Sequence, residues 1–347
     1  MRNIEETISK LNHPAVEELP APTYAGEKSN GVFLAVESMR EHMTDEGWQI
    51  AIACRENGYT LCGHNLEVGF TGVPTILRTT NPGVVVVQDK REWDVQRKDF
   101  REEKARFQNV QELKSRDDIF KLTILKDSHQ KPLYHRESAD EIGCHAWIIY
   151  YNSKIVKHLA PYVREEHLIR TYHSIDSQIV PEFKADRDGA LLSGAVSGAY
   201  PLRRRLAAMS HKIDGMNYLK HPGYHRRGSN TPDYLQILNR HKVAICTSSI
   251  YGYSLRKIIE ATACGCRVLT DLPTNEVMPW IDDNLVRVSP NATMGEIRRA
   301  LSDMHSKYDE SRQRYFAEQA KEFYDYRYQG KLLIQSIEQL RKNYNVA

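Results

Sequence analysis

Residues 247–273, TSSIYGYSLRKIIEATACGCRVLTDLP, constrain the fold more tightly than any other stretch of the chain. A polar loop with a tight-turn glycine, Gly252, leads into a short helical pattern over 255–263. A Cys-Gly pair stops that pattern, and a strand-like run, 267–270, follows at once. Loop, helix, glycine stop and strand in this order make one unit of a doubly wound α/β sheet.

The rest of the chain repeats the alternation. In the first half, apolar and β-branched runs at 31–36, 49–53, 83–88, 121–126 and 146–151 are expected strands, most followed by a polar, helix-like segment. In the second half, expected strands at 190–193, 241–247, 267–271 and 285–288 alternate with expected helices at 201–209, 233–239, 255–263 and 293–306. The charged run 94–106 reads as a solvated helix or surface loop, and residues 1–30 as a short amphipathic helix with a Pro-rich linker. At 347 residues the length prior favours two domains, each able to bury its own core. The polar stretch 180–187, with Pro181, is the expected boundary. It gives a first domain over 1–182, a second over 183–310, and amphipathic C-terminal helices over 311–347 that pack back across both.

Composition excludes some classes. No apolar run approaches 18 residues, so no membrane-spanning helix is expected, and the polar N-terminus does not read as a signal peptide. The six cysteines show no metal-ligand spacing. Cys264-Gly265-Cys266 reads as a structural turn, and a reducing cytoplasm fits. A net charge of +3 permits an anionic partner without requiring one.

The chemistry concentrates in the same unit. Arg256 and Lys257 fall in the first turn of the expected helix, where cations oppose the helix dipole unless an anion is bound. With the free N–H groups of the helix start they form a site for a diphosphate. Glu260, one turn on, is placed to accept the hydroxyls of a ribose, and an acid in an otherwise apolar helix is costly without a partner. Together these residues suggest the donor half of a nucleotide-sugar site.

Four segments, LLSGAVSGAYPLRRRL (191–206), HPGY (221–224), DYLQILNRHKVAICTSS (233–249) and RKIIEATACGCRVLTD (256–271), carry a family resemblance. They resemble the glycosyltransferases that include the spore-maturation-type enzymes and the phage DNA β-glucosyltransferases. The resemblance implies the glycosyltransferase-B architecture, two Rossmann-like domains facing across a cleft with C-terminal closing helices. It implies a nucleotide-sugar donor, a UDP-sugar foremost, with no required cofactor and no assigned metal. Gly194 and Ser197 then belong to the glycine-rich turn that meets the diphosphate, with Arg203 or Arg204 taking the phosphate role of a family arginine. Lys257 stands where the family has its other phosphate arginine, and His221 or Tyr224 would line the nucleobase pocket. KLTILKDSH (121–129) resembles the family strand ending in the catalytic base, which makes Asp127 the expected base and His129 its neighbour at the sugar. RTYHSIDSQIVPEF (170–183) resembles the interdomain segment and brings His173 within reach of the donor. The chain departs from the retaining families at the acid eight residues before Glu260, where Gly252 stands, which favours inversion through a single carboxylate base.

Three functions remain open on the sequence. The first is transfer to a hydroxymethylated pyrimidine in double-stranded DNA. The second is the same chemistry on a cell-surface or spore glycan, and the third a nucleotide-binding protein without turnover. For the first, basic surfaces are expected at 203–205, 225–227 and among 91–106.

Overall fold

The computed structural model describes residues 30–34, 51, 53–62, 72–88, 91–94, 99–102, 109–125, 128–129, 132–220 and 231–344. Two parallel sheets and one two-stranded ribbon hold their strands. The first holds β1 (Gly31–Leu34), β2 (Tyr59–Cys62), β3 (Val84–Val87), β6 (Phe120–Leu125), β7 (Ala146–Ile149) and β8 (Leu168–Arg170), in the order β2-β1-β3-β6-β7-β8. The second holds β9 (Ala190–Gly194), β10 (Met216–Lys220), β11 (Val243–Ile245), β12 (Arg267–Thr270) and β13 (Leu285–Arg287), in the order β10-β9-β11-β12-β13. Every pair in both is parallel.

Parallel sheets are covered on both faces, so their strands read as continuous apolar runs. The four valines of β3 show it: Val84 and Val86 enter one core with Phe33, while Val85 and Val87 enter another with Val32 and Leu34. The second sheet divides the same way, Leu191, Ala244 and Val268 to one face and Leu192, Val243 and Leu269 to the other. Each such valine, leucine or phenylalanine contributes about 1.5–3 kcal/mol on burial.

The C-terminal helices tie the two layers together. Helix Glu310–Phe323 lays Ala320 against Ile258, Ile259 and Ala261 in the second core. Helix Tyr326–Asn343 then crosses back and sets Leu333 and Ile337 into the first core. The crossing is pinned to the outward passage of the chain by a parallel bridge between Ile175 and Asp325. The Asp325 carboxylate also accepts hydrogen bonds from the Ser177 backbone N–H and hydroxyl at 3.0 and 2.6 Å.

Local sequence explains the helices that matched expectation. Pro201 at the first position starts helix Pro201–Met209. Thr293 and Glu296 form a capping box at the start of helix Met294–Ser306. Two expectations fail. Residues 51 and 53–56 are helical, where 49–53 suggested a strand, and the edge strand is β2 instead. Its alternation YTLC, with a threonine and a tyrosine, is too short to stand out. The charged run 94–106 holds β5 (Asp99–Glu102), paired antiparallel with β4 (Arg91–Asp94) at its start, rather than a helix or loop. Charge alone is compatible with a solvated two-stranded ribbon, and it does not report backbone pairing.

Candidate functional site

The order of the second sheet reverses between β9 and β11, and doubly wound sheets bind ligands outside the carboxyl ends of their strands at such a point. Gly194 ends β9 there with φ +112, a conformation that glycine tolerates. A Cβ on it would stand 2.8 Å from both Arg203 Nη1 and Lys257 Nζ, so the turn and the two cations occupy one small volume.

Helix Arg256–Ala263 begins at the other lip, with no side-chain cap on its N-terminus and no acid in its first turn. Lys257 reaches back over the Tyr234 ring, 5.5 Å from its centroid, and donates to Ser193 Oγ at 3.3 Å. Ser193 Oγ and Tyr234 Oη are 2.8 Å apart. Burial, and then the Arg203 guanidinium, bring the Lys257 ammonium down to about 8. Glu260 is buried and pairs with Arg256 one turn away, Nε to Oε1 at 3.1 Å. The helix stops at Gly265, where φ is +80 and a side chain would meet the Phe183 ring.

Arg203 is buried, and its donors are used within the fold. Nε bonds Thr247 Oγ1 at 3.0 Å, Nη2 the Thr247 carbonyl at 2.9 Å and Nη1 the Ala195 carbonyl at 3.0 Å, with the guanidinium 3.9 Å over the Tyr200 ring. It therefore clamps the loop after β9 to the loop after β11, so the basic surface expected at 203–205 loses Arg203 and keeps the exposed Arg204 and Arg205. Arg204 is exposed, while Arg205 donates to the Pro290 and Ala292 carbonyls at 2.9 and 3.1 Å. Ser197 is exposed at the tip of the glycine-rich turn, its carbonyl accepting from Tyr200 N–H at 3.1 Å. Asp271, at the end of β12, holds the second loop through the Ser248 N–H, and burial raises its carboxyl above the usual range.

The loop after β11 then reaches the first domain. Gly252, φ +69, separates Tyr251 from Tyr253. Tyr251 stacks on His129, centroids 3.8 Å apart, and Tyr253 stacks on Tyr151 at the same 3.8 Å. His173 is buried and stacks on Tyr150 at 5.1 Å. One turn beyond β12, the buried Glu276 carboxylate accepts from Ser254 Oγ at 2.9 Å, from Arg170 Nη2 at 2.7 Å and from the Asn152 N–H at 3.0 Å. Burial raises its carboxyl, and Arg170 opposes that.

The structure thus gathers Gly194, Arg203, Lys257, Arg256 and Glu260 at the switch point, and brings His129 and Gly252 to the contact between the domains. Asp127, His221 and Tyr224 lie outside the described residues. Sequence reasoning missed Ser193, Tyr234, Tyr251, Tyr253, Arg170 and Glu276. Tyr251 and Tyr253 flank Gly252 within the most informative stretch, yet their partners lie in turns more than 100 residues away. Cys264 and Cys266 are buried, their thiols donating to the Leu235 and Leu238 carbonyls at 3.5 and 3.2 Å. Among the described residues no group of His, Cys, Asp and Glu is arranged to hold a metal ion, and no helix is long and apolar enough to cross a membrane.

No protein-family model matches the chain, and no curated protein sequence does either. Solved structures do match in fold. A glycosyltransferase from Rickettsia africae ESF-5 superposes with a TM-score of 0.60 at 9% identity, over 92% of this chain and 100% of that one. An alpha-glucosyltransferase in complex with UDP-glucose and DNA containing an abasic site gives 0.54 at 12% identity, over 90% and 100%. Anabaena HepE in complex with UDP gives 0.52 at 11% identity, over 90% and 100%.

This is the glycosyltransferase-B fold.

In this fold's second sheet, Gly194 ends β9 and stands beside Arg203 and Lys257.

Proposed function

We propose that the protein transfers a sugar from a nucleotide sugar, of the uridine-diphosphate type, to a hydroxyl acceptor. The observation that carries this reading is the gathering of Lys257, Arg256 and Glu260 on one short helix against the Gly194 turn, at the reversal of the second sheet. In this reading residues 183–310 form the donor domain, 1–182 the acceptor side, and 311–347 the helices packed across both. Lys257, Ser197 and the N–H groups at Gly194 and at the helix start take the diphosphate. Arg203 holds the two loops in register for it, and Arg204 meets the diphosphate or the acceptor from the rim. Glu260, oriented by Arg256, takes the ribose hydroxyls, and His221 and Tyr224 line the nucleobase pocket. Gly252 lets the loop turn toward the sugar, and His129 and His173 face the sugar or the acceptor. Asp127 is the base that removes the acceptor proton as the oxygen attacks the anomeric carbon and the nucleoside diphosphate leaves. No step is assigned to a metal ion.

The acceptor we favour is a hydroxymethylated pyrimidine in double-stranded DNA. Its hydroxymethyl group is a primary alcohol that one carboxylate base suffices to activate, and reaching it requires base flipping. The neighbour solved with UDP-glucose and DNA supports this acceptor, as the complex of HepE with UDP supports the donor class. A cell-surface or spore glycan is the second reading.

The test is incubation with labelled nucleotide sugars against hydroxymethylated DNA, unmodified DNA and a glycan panel. Label is expected in the hydroxymethylated DNA alone, with binding that weakens steeply with salt. Label in the glycans alone moves the acceptor to the second reading, and no label in any acceptor defeats transfer. Proton NMR of the product reports the anomeric configuration, with inversion expected from a single carboxylate base. Asp127→Asn should keep UDP binding and lose roughly 100- to 10,000-fold in transfer rate, as loss of a general base does. A mutant with most of its turnover removes Asp127 from the mechanism.

A further inference from the structure

We infer that Ser193 and Tyr234 position the Lys257 ammonium for the donor diphosphate, holding it through neutral groups so that its charge is left for the ligand. The inference rests on the sugar-transfer reading and gives roles to two residues which that reading leaves unassigned.

Three elements meet at this point. Ser193 stands next to the end of β9, Tyr234 on helix Thr231–Leu238 and Lys257 in the first turn of helix Arg256–Ala263. The ammonium donates to Ser193 Oγ at 3.3 Å and lies over the Tyr234 ring, 5.5 Å from its centroid. Ser193 is buried, and its Oγ is 2.8 Å from Tyr234 Oη. An ammonium has only donors, so Ser193 accepts from it. The serine oxygen keeps a second lone pair and a proton, and it meets the phenol in either direction. The hydroxyl thus holds the ammonium, the phenol holds the hydroxyl, and the face of the ring attracts the cation.

No carboxylate takes part in this holding. Glu260, on the same helix as Lys257, pairs with Arg256 instead. The other titratable groups facing Lys257 are Arg203, Cys246 and Tyr234 itself. Burial pushes the Cys246 thiol up to about 12 and the Tyr234 phenol well above its ordinary value, so both stay neutral. Arg203 adds a second cation: a Cβ on Gly194 would stand 2.8 Å from its Nη1 and 2.8 Å from Lys257 Nζ. Two positive groups therefore face the space of one missing side chain. A carboxylate at position 193 would hold the lysine equally well, but it would cancel the charge that a diphosphate needs. A hydroxyl and a ring face fix the ammonium without cancelling it, which leaves the site ordered for an anion before the anion arrives. Ser193 and Tyr234 are positioning residues: they act through Lys257.

The test compares UDP with uridine, which has the base and the ribose but no phosphate, in calorimetric titrations of the parent and of Ser193→Ala. Ser193→Ala should bind UDP roughly 3- to 10-fold more weakly, the loss expected for one hydrogen bond of ordinary strength, and should bind uridine as the parent does. The titration of Lys257 is read separately, by carbon-13 NMR of lysine-labelled protein without ligand, with Lys257→Met assigning the signal. It should move from about 8 in the parent to a lower pH in Ser193→Ala, because the lost acceptor favoured the charged form. Equal losses for UDP and uridine, an unchanged UDP affinity, or an unshifted Lys257 titration each overturns the inference. If Ser193→Ala does not fold, Tyr234→Phe replaces it: phenylalanine keeps the ring beside the ammonium and removes the hydroxyl that anchors Ser193. That variant should weaken UDP by roughly 2- to 3-fold and leave uridine unchanged, and a parental UDP affinity there overturns the inference. A parent that binds no UDP defeats the donor reading, while the Lys257 titration is read without any nucleotide.

Discussion

Lys257 is the residue where burial and charge meet. It shares its surroundings with Arg203, Glu260, Cys246 and the Tyr234 ring, and its ammonium is brought down to about 8, first by burial and then by Arg203. A bound diphosphate restores the proton, because the anion favours the charged form. On the proposed function, binding should therefore take up a proton wherever the empty site lacks one, and UDP affinity, full below about pH 8, should fall as the pH rises through that value. Calorimetry in buffers of different ionisation heat should show proton uptake at pH values above 8 in the parent and none in Lys257→Met; equal heats in the parent would sink the idea. Glu260 has a partner in Arg256, which explains how the apolar helix tolerates it. UDP at 100 times its Kd should raise stability by about 2.7 kcal/mol, and Glu260→Ala should abolish most of that shift. A mutant protected as well as the parent removes the ribose role.

Among the elements, helix Arg256–Ala263 depends most on a single terminus. It is eight residues long and ends where Gly265 takes φ +80 against Phe183. Alanine there costs roughly 1–2 kcal/mol for the left-handed backbone alone, and the ring adds to it. Gly265→Ala should lower the urea midpoint without changing the slope, and a midpoint equal to the parent's would show that the helix end adapts. The helices expected at 201–209 and 293–306 and the Gly265 stop were readable because the signals that set them act within a few residues. The segment expected as a strand at 49–53 and the hairpin that enters the charged run were misread because short segments take their state from their neighbours.

At the scale of the molecule, the two domains meet on an aromatic layer and on one buried carboxylate. Glu276 takes hydrogen bonds from Asn152 and Arg170 of the first domain and from Ser254 of the second. Removing Arg170 leaves that carboxylate buried without its cation, which costs roughly 3 kcal/mol when a buried pair is broken from one side. Arg170→Ala should lose about that much in denaturant unfolding and open the cleft, read as a larger radius of gyration by solution scattering. An unchanged radius and stability would show that the aromatic layer and the C-terminal helices hold the domains without this ion pair.

The sequence by itself determined the parallel α/β class, the positions of the central strands and the helix on which Arg256, Lys257 and Glu260 stand. These follow from local periodicity, from glycine and proline punctuation and from an acid misplaced in an apolar helix. Only the tertiary structure decided what Arg203 does, because its hydrogen bonds go to Ala195 and Thr247, brought beside it by the parallel pairing of β9 with β11. The meeting of Tyr253 with Ser128 and His129, and of Glu276 with Arg170, was likewise beyond the sequence. Such contacts join segments 100 or more residues apart, and no periodicity in either segment encodes its partner. They exist because the chain crosses between two sheets and returns at Asp325, which closes the distance that the sequence leaves open.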